Sequence, residues 1–190
     1  GNAGEAYNFL STASALNPAE PFYNNELGYA AAAASVSLKD TDATLSAQLE
    51  QEALKETEKS LLISPNNTSF WRTAIRSYYL LTDKDKKYYD KTLEAIDRAI
   101  SLAPTDPKLY YNKALILGQL NRDKEAIATL QKTIELKNNY KEGYYSLALF
   151  QFDQKDYTSA VANMNKIYQI IPADPDATAK LLEWEKQGVR

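Results

Sequence analysis

A 34-residue period runs from Asp106 to Pro172 and constrains what this chain can fold into more than any other feature. Tyr110 recurs as Tyr144, Ala114 as Ala148, Ala126 as Ala160, Leu130 as Met164 and Thr133 as Ile167, while the place of Pro104 passes through Asn138 to Pro172. A unit this short cannot bury its own apolar face and must stack on its neighbours, so a period of this size marks a solenoid. Apolar residues inside each unit are spaced by three and four, the spacing of one helix face. The predicted fold is all-α: a solenoid of stacked antiparallel helix pairs, about ten helices in all.

Carried outwards, the same ruler divides the whole chain, which is read as one domain. Residues 1–18 hold Ala6, Leu10, Ala13 and Pro18 at second-helix spacings, so they form half a repeat with a helix over about residues 4–16. Residues 19–65 form a repeat stretched to a 47-residue interval between Pro18 and Pro65, with the excess around Val36 to Gln51. That excess reads as a lengthening of both helices, which at ~1.5 Å per residue makes the hairpin stand about 10 Å proud of its neighbours. Residues 66–104 open on the capping cluster Asn66-Asn67-Thr68-Ser69, carry Trp71, Ala74, Ile75 and Tyr78 on one face, and should leave their first helix near Leu81. The extra residues of this repeat fall in Thr82 to Lys87, a polar run expected not to pack. Residues 105–138 and 139–172 are the regular repeats, with turns at Asn121-Arg122-Asp123 and Lys155-Asp156. Residues 173–190 form a capping helix, with Leu181, Leu182 and Trp184 on its inner side and charges outside. The mid-repeat start and the absence of an initiator Met read as a piece of a larger protein.

Composition removes most catalytic readings. The chain has no Cys and no His, so the commonest general base, metal ligand and thiol nucleophile are missing, and no enzyme activity is expected. No Gly-rich phosphate loop is present. The acidic pairs at Asp40 and Asp42, Asp83 and Asp85, and Asp174 and Asp176 lack the calcium-loop pattern and read as caps and turns, so neither a cofactor nor a metal is predicted. A net charge of −3 gives no footprint for nucleic acid. The longest apolar run, Tyr29 to Ser35, falls far short of the ~18 residues that span a bilayer, so this segment should not insert in a membrane. Compartment is not readable from these residues.

The pattern resembles the tetratricopeptide repeat family. The early aromatic of the first helix is Trp71, Tyr110 and Tyr144, and the small residue after it is Gly28, Ala114 and Ala148. In the second helix the small residue is Ala6, Ala53, Ala126 and Ala160, and the closing proline is Pro18, Pro65, Pro104 and Pro172. Asn24, Thr92 and Asn138 depart from the pattern. The resemblance implies that the first helices line a concave face, and it places Arg72, Arg76, Tyr79, Lys108, Tyr111, Asn112, Leu115, Tyr145, Leu149 and Phe152 in a partner-binding groove. The alternative is that these rings only pad the interior. Some family members hold a chaperone's terminal carboxylate with a basic clamp, whose places fall here on Arg72 and Arg76, on Asn112, and on Glu142 and Ser146. Glu142 reverses a positive charge and Ser146 replaces an Arg, so a receptor for chaperone tails of that type is not expected.

The function predicted from these readings is a non-catalytic scaffold that binds a protein or peptide segment in its groove. The exposed end helices add the expectation of a homo-oligomer. The second reading is a soluble appendage of a larger membrane or envelope protein. Residues 69–73 and 102–112 resemble the C-terminal repeat regions of bacterial O-antigen ligase-like membrane proteins, and any glycan transfer would lie outside this chain.

Overall fold

The computed structural model describes residues 3–189, which form ten α-helices with no strand among the described residues. The chain divides into two compact units, Gly1–Pro104 and Thr105–Arg190. The first holds α1 (Ala3–Leu16), α2 (Pro21–Leu38), α3 (Ala43–Ile63), α4 (Thr68–Leu81) and α5 (Tyr88–Leu102). The second holds α6 (Pro107–Gln119), α7 (Asp123–Leu136), α8 (Lys141–Asp153), α9 (Tyr157–Ile170) and α10 (Pro175–Lys186). Helix α2 packs on α1, α3 and α4, and α4 on α5; in the second unit α6 to α10 pack in succession.

The helix starts follow from local chemistry. Asp42, Asn67, Asp106, Asp156 and Asp174 each accept a hydrogen bond from a first-turn N–H, and Pro21, Pro107 and Pro175 stand where no N–H is needed. The two regular repeats end their first helices with the same device. Asn121 and Lys155 take φ of 57° and 64°, and the following N–H groups of Arg122 and Asp156 donate to the carbonyls of Leu117 and Gln151, both at 2.9 Å. This closure satisfies carbonyls that the helix leaves open, and it recurs at the 34-residue interval.

The ruler's small residues are buried between the helices. Ala53, Ala114, Ala126, Ala148 and Ala160 are fully buried, and Gly28 lies so near α3 that an added Cβ would fall 2.9 Å from the backbone N of Thr57. Thr92, which replaces the expected Ala, is equally buried because its hydroxyl donates to the carbonyl of Tyr88 at 2.7 Å. Asn24, in place of an aromatic, is held in a polar knot: it accepts from the hydroxyl of Ser14 at 2.7 Å and from Lys59 at 3.2 Å. Neighbouring Asn25 donates to Ser60 Oγ at 3.3 Å and to the carbonyl of Phe70 at 3.4 Å. These buried amides join α2 to α1, α3 and α4 by directed bonds where the regular repeats use apolar contact.

Three sequence expectations need correction. Ala6 is exposed, unlike its counterparts, because no first helix of its own repeat lies against it among the described residues. Helix α1 is held instead through Ser14 and through Tyr7, whose hydroxyl donates to Glu52 at 2.6 Å; burial and that carboxylate push the Tyr7 phenol up to about 12. Leu182 is exposed while Trp184 is buried and Leu181 half-buried, since adjacent helix positions are about 100° apart.

The third correction concerns the polar run 82–87, which does pack. Helices α2 and α3, at 18 and 21 residues, exceed the 13 and 14 of α6 and α7, and their far end lies against this run. Lys84 donates to Ser35 Oγ at 2.8 Å, to Ser46 Oγ at 2.7 Å and to the Ser46 carbonyl at 3.1 Å, and pairs with Glu50 at 2.8 Å. Lys39 pairs with Asp83, and the Tyr88 hydroxyl donates to the same Glu50 carboxylate. The insertion in one repeat is thus clamped by the insertion in the next. Hydrophilicity did not prevent packing because Lys84, Ser35, Ser46, Glu50 and Tyr88 supply one another's partners.

Candidate partner-binding surface

The residues expected to line a groove fall in both units. Arg72, Arg76 and Tyr79 lie along one side of α4 in the first unit, at spacings of four and three. Tyr79 is 48% exposed while Tyr78 beside it is buried, so this tyrosine pair divides between core and surface as helical geometry requires. Arg76 is exposed, with its guanidinium 4.0 Å above the ring of Tyr29 on α2, which fixes the cation by its flat face. Arg72 is half-buried.

In the second unit Lys108, Tyr111, Asn112 and Leu115 share one face of α6, and Tyr145, Leu149 and Phe152 share one face of α8. Lys108, Asn112 and Leu115 are exposed. The aromatic members all have intramolecular work as well. Tyr111 packs on Tyr140 with ring centroids 5.3 Å apart, and its hydroxyl is 3.4 Å from Ser146 Oγ. Burial, then the Glu142 carboxylate, raises the Tyr140 phenol above its ordinary value. Tyr145, Leu149 and Phe152 lie half-buried against the core of Ala148, Ala160, Met164, Ile167 and Trp184, and Phe152 stacks on Trp184 at 4.4 Å. The surface is therefore one of ring edges set in a packed base, with Leu115, Asn112 and Lys108 beside them.

Helix α10 is fixed over this core from its first turn. Lys141 on α8 reaches Asp174 at 2.6 Å and Asp176 at 2.9 Å. The Lys141 hydrogen bond, helped by the N–H of Ala177, holds the Asp174 carboxyl below its usual range, and the same contact raises Lys141. Glu142 is exposed and Ser146 is turned inward onto Tyr111, so this unit presents no pair of cations at those two places.

Sequence reasoning missed two further features. The cation–π contact of Arg76 with Tyr29 joins residues 47 positions apart, which no local pattern shows. A cavity of about 550 Å³ opens in the first unit beside Trp71, a residue read from the sequence as the early aromatic on one face of its helix.

The stacked helix pairs define an all-α helical-repeat protein. Residues 107–140 and 142–174 match the model of the tetratricopeptide repeat, so the second unit carries two such repeats. The Hsp70-Hsp90 organizing protein of Triticum aestivum is 33% identical over 88 residues, which is 46% of this chain and 15% of that protein. The chain spans well under two thirds of the length of the curated relatives it matches. Among solved structures, MamA from residue 41 to its end, of Desulfovibrio magneticus RS-1, superposes with a TM-score of 0.68 at 19% identity, covering 92% of this chain and 89% of that one. YrrB, a TPR protein with an unusual peptide-binding site, gives 0.64 at 16% identity, covering 94% and 82%. No helix among the described residues is long and apolar enough to cross a membrane.

Proposed function

We propose that this chain is a non-catalytic interaction scaffold that captures a protein segment on the first-helix faces of its repeats. The observation that carries the reading is the combination on α6 and α8: exposed Leu115, Asn112 and Lys108 beside half-buried Tyr111, Tyr145, Leu149 and Phe152. Rings anchored from below offer contact area at little ordering cost, and an exposed amide beside them can bond a partner's backbone. The ligand that fits is amphipathic, with its apolar side chains on the rings and an acidic group near Lys108. In the same sense Arg72, Arg76 and Tyr79 on α4 belong to the binding surface of the first unit. Peptide binding by YrrB is a precedent within the fold class. The inward Ser146 and the acidic Glu142 speak against a chaperone-tail clamp in the second unit.

Leu115 and Asn112 are the residues with which to test the reading, because Tyr111 and Tyr145 also hold the fold. Leu115→Glu with Asn112→Ala should weaken capture of a partner by the immobilised chain at least tenfold and leave the melting temperature within about 2 °C. Undiminished capture overturns the assignment of this face. A second copy of the chain would attach through the exposed Phe9 and Leu16 of α1, and sedimentation of Leu16→Glu against the unaltered chain tests that. The reading as an O-antigen ligase-like appendage is not favoured by the relatives named above.

A further inference from the structure

We propose that α1 is a self-pairing helix: two copies of the chain join through their α1 helices, side by side and antiparallel about a twofold axis, with Leu16 of one copy over Ala6 of the other and Phe9 over Ala13. The proposal rests on, and deepens, the attachment of a second copy through Phe9 and Leu16 given above. It is independent of the faces on α4, α6 and α8.

Ala6, Phe9, Ala13 and Leu16 follow one another at spacings of three, four and three, which keeps them in one stripe along the helix, the spacing of a seam between paired helices. Phe9 is 75% exposed and Leu16 83%; Ala6 is exposed and Ala13 half-buried. The bonds that hold α1 to its own chain come from another side of the helix, through Tyr7 and Ser14. A surface helix ordinarily turns its apolar stripe inward, so α1 is reversed. The other repeats show what lies on such a face. Ala6, Leu10 and Ala13 stand in the register of Ala126, Leu130 and Thr133 on α7 and of Ala160, Met164 and Ile167 on α9, all fully buried. On α3 the matching Ala53 and Thr57 lie against Gly28 of α2, where an added Cβ would fall 2.9 Å from Thr57 N and 3.2 Å from the Ala53 carbonyl oxygen. The occupant of this face elsewhere is therefore an antiparallel helix at close range.

A second α1 fits because the stripe is complementary to itself in one direction only. Reversal maps positions 6, 9, 13 and 16 onto 16, 13, 9 and 6, so in an antiparallel pair every large residue meets an alanine. A parallel pair would set Phe9 on Phe9 and Ala6 on Ala6, with crowding in one layer and a gap in the next. The alanines also supply the small residues that the repeat uses at its helix contacts. Charge agrees with this arrangement: Glu5 is the one charged residue of α1, and reversal places its two copies at opposite ends of the pair. From Ala6 to Leu16 the seam is about 15 Å long at 1.5 Å per residue. That is small for an interface, so the association is reversible, and an isologous contact of this kind closes at two copies.

Sedimentation equilibrium of the whole chain should show monomer and dimer exchanging with concentration. Leu16→Ala sets Ala against Ala and Ala6→Leu sets Leu against Leu, and each should raise the dimer Kd at least tenfold. The two together restore one large and one small residue to each layer and should return the Kd to within about threefold of the unaltered chain. The chain has no cysteine, so copies carrying Ala6→Cys mixed with copies carrying Leu16→Cys should give a disulfide-linked heterodimer on mild oxidation, while neither links to itself. Both positions are exposed, and the melting temperature of dilute samples checks that each variant is folded. A chain that stays monomeric at every concentration overturns the proposal and the self-association reading together. A dimer that Leu16→Glu abolishes but the paired exchange fails to restore, cysteine variants that link only to themselves, or growth beyond two copies overturns the antiparallel pairing alone.

Discussion

Replacing Lys84 by Met removes one ammonium from the contact between the two insertions and leaves most of its apolar stem in place. That ammonium makes four polar contacts between 2.7 and 3.1 Å, to Ser35, Ser46 and Glu50, which lie 49, 38 and 34 residues away in sequence. Breaking a buried ion pair costs about 3–5 kcal/mol because the surviving charge is left without its partner. Here the side chains of Lys84 and Glu50 remain 14% and 15% exposed, so water relieves part of that, and about 2–3 kcal/mol is expected. For a chain of this size that corresponds to a fall in melting temperature of about 5–10 °C. The loss should depend on pH. Burial pushes the Glu50 carboxyl up, but the hydrogen bonds from Lys84 and Tyr88 outweigh it and hold Glu50 below its ordinary value. The folded protein therefore binds fewer protons than the unfolded chain in that window. The Glu50 contribution is full above the ordinary carboxylate range and is lost as pH falls through the lowered folded value. Urea unfolding of both proteins at pH 7 and at pH 3 should show the gap narrowing in acid. A gap below about 1 kcal/mol at pH 7, or one of constant size down to pH 3, would refute this account of the clamp.

Two other substitutions probe packing. Gly28→Ala would place a Cβ 2.4 Å from Thr57 Oγ1 and 2.9 Å from Thr57 N; the hydroxyl can rotate away but the backbone cannot, so α2 and α3 must part. A loss of about 1–2 kcal/mol is expected after the helix-propensity gain of Ala, and a raised melting temperature would count against the close contact. Trp184→Ala empties the stack on Phe152 and should cost about 3–5 kcal/mol, read as a lower urea midpoint; a change under 1 kcal/mol would mean that α10 does not seal the core of the second unit.

Helix number, the repeat interval and the burial of Ala114, Ala126, Ala148 and Ala160 were legible in the sequence because they arise from spacing within one unit and its neighbour. The two regular repeats, with identical turns at Asn121 and Lys155, are the limiting case: period and cap chemistry alone specify them. The candidate surface was legible only as a set of helix positions. Sequence could not tell that Tyr111 rests on Tyr140, that Phe152 lies under Trp184, or that Ser146 is turned inward, since each depends on a contact between helices. The same limit hid the fate of residues 82–87. Judged alone, Lys84 belongs in water; it packs because Ser35, Ser46 and Glu50, distant in sequence, arrive together to replace that water. The sequence by itself determined the helices and their periodic stacking, which are set by local spacing and capping. Tertiary structure alone decided that Lys84 packs with Glu50 and which cavity stays open, because there desolvation is offset by partners that arrive from separate helices.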